Sequence, residues 1–292
     1  IDLRCARLLA TRLRGANLEK ADLEGAHVVS ADLSGANLHG ASLHGLNAST
    51  ADLSRADLSF ARAACAWLEC NLTDANLEGG SNLTRARFVR ADLTGAQFNE
   101  ADITDADFTQ ANLQRSCLVG LDLRLACFDY AIFSQAQLRE CNLEYLQLPG
   151  ADFAGANLSG AYLTGSQMPQ ANLSGANLQG AGLADVEWEG VDLSCADLHG
   201  ASFHLGSTRC GLVGSPYPSH GTRTGFYTDD YNEQDFKSPE EIRKANLCGA
   251  DLRGAKIEGV DFCLVDLRDA LYDYEQMFHL RQCGAILKAK AV

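Results

Sequence analysis

The chain has 292 residues, a formal net charge of −14 and 46% apolar residues. No apolar run approaches the roughly 18 residues of a membrane helix, and no basic-apolar-small leader of signal-peptide type opens the chain. The acidic balance argues against the basic face of a nucleic-acid binder and favours solubility, or a partner with a positive surface.

From Ile1 onward the chain repeats every five residues: small, polar, Leu, polar, often Gly. The pattern is plain in Ala31-Asp-Leu-Ser-Gly and Ala36-Asn-Leu-His-Gly, and recurs in Ala151-Asp-Phe-Ala-Gly and Ala171-Asn-Leu-Ser-Gly. With the recurrent Leu as centre, units fall at Leu3, Leu8, Leu13, Leu18, Leu23, Val28, Leu33 and onward in fives. One step shortens to four between Leu68 and Leu72, and one lengthens to six between Leu77 and Leu83. The register then holds through Trp188, Leu193, Leu198 and Phe203. A residue lost in one turn and regained in the next implies a local bulge in a continuous body. Five is neither 3.6 nor a heptad, and abundant Gly, Asn and Asp favour turns over helix. Each unit buries its apolar side only by stacking on its neighbours, which predicts an elongated repeat array.

Repeats of the form Ala-Asp/Asn-Leu-x-x over residues 1–205, resuming at 245–271, resemble the pentapeptide-repeat proteins. The resemblance implies an all-β fold, a right-handed quadrilateral parallel β-helix with four pentapeptides per coil. Each centre and the small residue two places before it then point inward. On that geometry Phe88, Phe108 and Phe128 form an inner aromatic ladder, continued by Leu148, Met168 and Trp188. Leu46 and Ala48 exchange the large and small inward places within one unit, conserving volume. About ten coils at ~4.8 Å each would make a body on the order of 50 Å long.

Residues 206–244 break the period with Pro216, Pro218, Pro239 and several Gly. The run Phe226, Tyr227, Asp229, Asp230 and Tyr231 makes this insertion a candidate interaction loop, and Ser238-Pro239-Glu240-Glu241 reads as the start of a short helix. Residues 245–272 resume one coil. In 273–292, Asp273-Tyr-Glu-Gln276 reads as a capping box opening a short amphipathic C-terminal helix. There Met277, Phe278 and Leu280 are candidates for an end cap or, because quinolone-resistance members of the family dimerise through their C-terminal ends, for a homodimer contact.

The 11 cysteines show no CxxC pair and no regular spacing. Cys5, Cys65 and Cys195 read at the place usually held by Gly, Cys141 at the small inward place, and Cys117 and Cys127 at the Asn/Asp place. They read as small fillers, reduced thiols of a cytoplasmic protein. Asp32, Asp52, Asp92, Asp152 and Asp192 line up at one outer position as a candidate acidic edge, although Asp and Asn at that position also serve turns.

Gyrase-binding members of the family resemble duplex DNA, so an acidic array is a candidate mimic. Residues 1–205 carry a net charge of −12. Spread over the expected length, that is roughly one charge per 4 Å, against one per ~1.7 Å in DNA. The histidines, such as His39, His44 and His199, sit at polar repeat places with no partner carboxylate in a recognisable motif, and no metal spacing is diagnostic. The leading expectation is therefore a non-enzymatic rigid scaffold binding an unidentified protein partner. It has no cofactor, metal, direct nucleic-acid contact or membrane span. The alternative is a DNA-mimicking topoisomerase (gyrase) binding or protection protein.

Overall fold

Within one pentapeptide the chain runs extended for three residues and turns over two. In the unit centred on Leu23, the Ala26 N–H donates to the Leu23 carbonyl at 2.9 Å, and Gly25 lies between them at φ 64°. A positive φ at the third place of a turn is the type II requirement, which glycine meets without steric conflict. Where the place is not glycine the backbone is unchanged: Lys20, Phe60 and Tyr145 sit at φ 53°, 58° and 60°. Each such residue costs about 1–2 kcal/mol, so the array as a whole enforces the corner.

The extended residues pair with units twenty positions away. Asp22 N–H donates to Ile1 O at 2.9 Å and Leu23 N–H to Ser42 O at 2.8 Å, and parallel bridges join Asp22 to Ser42 and Asp32 to Asp52. This pairing makes a β-helix. The structure, a computed structural model, describes residues 1–203 and 245–287. The candidate loop residues Phe226, Tyr227, Asp229, Asp230 and Tyr231 lie outside them. The chain divides into two units, Ile1–Asn142 with Ala151–Asn157, and Leu143–Gly150 with Leu158–Val292.

In the first unit the centres and the small residues two places before them are the core, as at Ala21 with Leu23 and Ala41 with Leu43; Leu46 and Ala48 are both buried. The six-residue step is a turn over Glu78, Gly79 and Gly80, with both glycines left-handed. The four-residue step lies one unit earlier than expected. Trp67, not Leu68, is the buried centre, and Ala66 is the residue that bridges to Asn47 and Arg87. Cys65 thereby falls at the small inward place, where it is buried, and not at the glycine place. Volume decides this, because only the interior removes the whole indole from water.

Trp67 stacks on Phe88 at 6.1 Å between centroids, and the ladder continues through Phe108 at 4.9 Å and Phe128 at 5.0 Å. A second stack, Phe133 on Phe153 at 4.8 Å, stands on another inner line. The stacking leaves the buried Trp67 Nε1 without a hydrogen-bond partner among the described residues. Burial raises the Cys65 thiol well above its ordinary range and pushes Cys70 up to about 12. These thiols act as apolar filler.

In the second unit Leu148, Met168 and Trp188 are buried, and here the indole N–H does find a partner, donating to Ser166 Oγ at 3.0 Å. The bridge separation then jumps from 20 to 59 residues, at Glu187 to Asn246, Asp192 to Asp251 and Asp197 to Lys256. The chain thus re-enters in the phase at which it left. Lys256 Nζ lies 2.9 Å from Asp197 Oδ2 across this gap. Strand β1 (Ala245–Asn246) pairs in parallel with β2 (Val265–Asp266), and helix α1 (Tyr274–Gln282) follows.

Substituting Phe108→Ala removes a ring that stacks on both sides, and should cost about 3–5 kcal/mol of unfolding free energy in urea, with Phe108→Leu costing under about 1.5 kcal/mol. A loss below about 1 kcal/mol for the alanine variant would mean that the ladder is not close-packed.

Candidate interaction surfaces

The residue before each centre points out of the core while its backbone pairs. In the first unit Asp32, Asp52, Asn71, Asp92, Asn112, Ile132 and Asp152 form one bridged row; in the second, Asn172, Asp192, Asp251 and Leu271 form another. Each acid or amide of the candidate edge closes its own turn, accepting the N–H two residues on. Asp32 Oδ1 accepts Ser34 N–H at 3.0 Å and Ser34 Oγ–H at 2.6 Å. Asp52 Oδ1 accepts Ser54 N–H at 2.9 Å and the Asn71 amide at 3.0 Å. Asp92 Oδ1 accepts Thr94 N–H at 3.1 Å and Oγ1–H at 2.6 Å, Asp152 Oδ1 accepts Ala154 N–H at 3.0 Å, and Asp192 Oδ1 accepts Ser194 N–H at 2.8 Å.

Charge along the outer rows is partly cancelled by a local device. Wherever the unit reads Asp-Leu-Arg, the guanidinium folds back on its own carboxylate. The Nη2 to Oδ2 distance is 2.7 Å for Arg4 and Asp2, 2.7 Å for Arg124 and Asp122, 2.6 Å for Arg253 and Asp251, and 2.7 Å for Arg268 and Asp266. The Arg4 hydrogen bond brings the Asp2 carboxyl down to about 2, and the Arg253 guanidinium lowers that of Asp251.

The end residues separate into two roles. Leu280 is fully buried, Met277 is half-buried and Phe278 is 74% exposed. The inward side of α1 bonds to backbone. Gln276 accepts Asp273 N–H at 2.8 Å and donates to Leu252 O at 2.7 Å and Ala255 O at 2.9 Å, and His279 Nε2 donates to Val260 O at 2.9 Å. These bonds satisfy carbonyls of the last coil. The outward side carries Phe278 and, one turn earlier, Tyr274 at 85% exposure.

The family profile described as Pentapeptide repeats matches in several copies, over residues 1–28, 30–63, 70–110, 106–144, 142–175, 171–205 and 242–269. The chain belongs to the pentapeptide-repeat family. Pentapeptide-repeat proteins fold as right-handed β-helices, the architecture described above. Among solved structures, HetL, a pentapeptide-repeat protein involved in heterocyst differentiation regulation from Nostoc, is 28% identical over 69% of this chain and 88% of its own, with a TM-score of 0.23. QnrB1, a plasmid-mediated fluoroquinolone resistance protein, is 15% identical over 97% of this chain and 99% of its own, with a TM-score of 0.31. Rfr23 from the cyanobacterium Cyanothece is 30% identical over 45% of this chain and 85% of its own, with a TM-score of 0.19. No curated protein matches the chain.

Two features of this pentapeptide-repeat chain escaped the sequence reading. Tyr274 lies inside the capping box, and its i to i+4 spacing places it beside Phe278. The Asp-Leu-Arg pairs were legible as a tripeptide, and only the corner geometry shows that their charges meet. Among the described residues no group of three or more His, Cys, Asp or Glu could hold a metal ion, and no helix is long and apolar enough to cross a membrane.

The turn role and the charge of the row are separable. Asp92→Asn retains the Oδ1 acceptor and should change stability by under about 0.5 kcal/mol, whereas Asp92→Ala should lose about 1 kcal/mol or more. Equal losses in thermal unfolding would refute the turn role. For Asp32, the Ser34 hydroxyl and N–H hold the folded carboxyl below its ordinary value. Its contribution is therefore complete above the unfolded carboxylate pKa and disappears as pH falls through the lowered folded value. Asp32→Asn should flatten that part of the acid-unfolding curve.

Proposed function

We propose that this chain is a non-enzymatic, rigid scaffold that binds a protein partner through its outer rows and its insertion, with coils that are four-sided, one pentapeptide to a side. The supporting observation is the fixed state of the outward acceptors. Each Oδ1 of the acidic edge is tied to turn backbone, while Oδ2 of Asp32, Asp52, Asp92 and Asp192 has no hydrogen-bond partner among the described residues. A row of acceptors already ordered loses little side-chain entropy when a partner covers it.

In this reading the protein is cytoplasmic and its thiols stay reduced; the ten described cysteines are all free. The insertion at 206–244 presents Phe226, Tyr227, Asp229, Asp230 and Tyr231 to the partner. The exposed side of α1, with Phe278, is the contact of a homodimer formed through a coil end. No cofactor enters, and nucleic acid is not bound directly.

A second reading, a DNA-mimicking protein that binds or protects gyrase, is favoured by one observation: Asp32 and Asp52 stand as bridged neighbours on a single row. Asn71, Asn112 and Ile132 on that row, and the Asp-Leu-Arg pairs elsewhere, dilute the field that mimicry needs.

Two assays separate the readings. Quantitative pull-down with the full chain, with residues 207–240 deleted, and with Asp32, Asp52 and Asp92 changed together to Asn should show a captured protein lost in at least one variant. Equal capture by all three removes the loop and the edge as contacts. In a supercoiling assay with purified gyrase, neither inhibition nor protection from quinolone at micromolar protein would dispose of the mimic.

A further inference from the structure

We propose that the first unit carries a notch for a guanidinium group, the side chain of an arginine on a basic partner segment. The notch is built where the period lengthens to six. The turn over Glu78, Gly79 and Gly80 holds two successive left-handed glycines at φ 72° and 76°, so no side chain rises from either. A cleft of about 320 Å³ opens there.

Its first wall is Phe60, from the preceding coil. Phe60 N–H donates to Glu78 O at 3.2 Å, and the ring leans over the glycine floor, so that a Cβ on Gly79 would come within 2.6 Å of Phe60 Cε2. The His39 ring meets Phe60 edge-on at 5.2 Å, and His39 Nδ1 is itself 2.8 Å from Ser59 Oγ, which steadies the aromatic. Phe60 is nonetheless 58% exposed, at φ 58°, in a corner place where Gly40 and Gly120 stand on the same side.

The opposite wall is Glu100, from the following coil, where Gly79 N–H donates to Asn99 O at 3.2 Å. Glu100 is exposed and has no hydrogen bond or ion pair among the described residues. Glu78, at the lip, accepts the Asn99 amide on Oε1 at 2.5 Å, which holds its carboxylate in place. Among the described residues no basic side chain lines the cleft.

An aromatic wall, two carboxylates and a floor of bare backbone select a cation and repel an anion. Among the described residues no third His, Cys, Asp or Glu joins the two carboxylates, so a metal ion is poorly served. A guanidinium is the match: its plane stacks on the ring while its N–H fork reaches carboxylates at the rim, which a point-charged ammonium does less well. The arginine's source rests on the protein-binding reading above; the affinity of the notch for guanidinium does not.

The test uses the full chain and a blocked tripeptide, acetyl-Gly-Arg-Gly-amide, titrated at low salt and followed by amide NMR. Saturable shifts are expected at Gly79, Gly80 and Glu100, with none from the Gln analogue and weaker binding of the Lys analogue. Phe60→Gly, which suits the left-handed corner, and Glu100→Gln, at an exposed unpartnered side chain, should each weaken binding about threefold at unchanged melting temperature. Absent shifts, non-saturating shifts spread over the acidic rows, a Lys analogue that binds equally well, or affinity unchanged in both variants would each overturn the proposal. Loss of partner capture would instead bear on the scaffold reading alone.

Discussion

Most corners of the coil are closed by one hydrogen bond, from the N–H of the small inward residue to the carbonyl of the preceding centre, as from Ala26 to Leu23. That bond forces the residue between them to positive φ, and the rest of the molecule follows from it. It fixes the period at five, turns two side chains in five toward the core, and aligns corners of successive coils. A corner side chain therefore lies over the corner of the next coil, and glycine beneath it makes room. The ring of Tyr145 would stand 2.5 Å from a Cβ on Gly165, and Lys20 Cγ 3.4 Å from one on Gly40. Residues as unlike as Lys, Tyr and Phe occupy the strained corner because their neighbours in the array already hold it.

The same constraint makes the outward residues ambiguous. An Asp or Asn before the centre is chosen twice over, once because its Oδ1 caps the turn N–H two residues on, and once because it faces water. Asp32 and Asn172 perform the same turn task, each accepting from a Ser N–H and hydroxyl, yet one carries charge and the other does not. The charge pattern is therefore free to vary without disturbing the fold. That freedom is why a binding surface can be written on these rows, and why its meaning cannot be read from composition.

The inward pattern was legible in the sequence because only two residues in five are apolar or small at fixed places. Legibility failed where adjacent residues were both apolar. Counting in fives gives Leu68 as a centre; the structure seats Trp67 there and moves the short step one unit earlier, carrying Cys65 inside. Periodicity cannot rank Trp against Leu, whereas buried area and the stack on Phe88 do. The notch was beyond reach for another reason. Phe60, Gly79 and Glu100 come from three coils across both slips, and they meet only once the slipped register is known.

Interruptions are tolerated because pairing in a β-helix is local: a unit needs its neighbours above and below, whatever the length of chain between them. The bridge from Asp192 passes to Asp251 as readily as that from Asp32 passes to Asp52, and the Lys256 to Asp197 ion pair forms across the gap. What the coil does demand is phase. The 59-residue separation and the paired slips of four and six all return the chain at the same place in the pentapeptide. A departure that keeps phase adds little to the free energy of the stack beyond loop closure, which grows only slowly with length. Non-repetitive chemistry therefore collects at such departures: at the six-residue step it uncovers a glycine floor beside an exposed ring, and after Phe203 it admits a segment free of the repeat's composition.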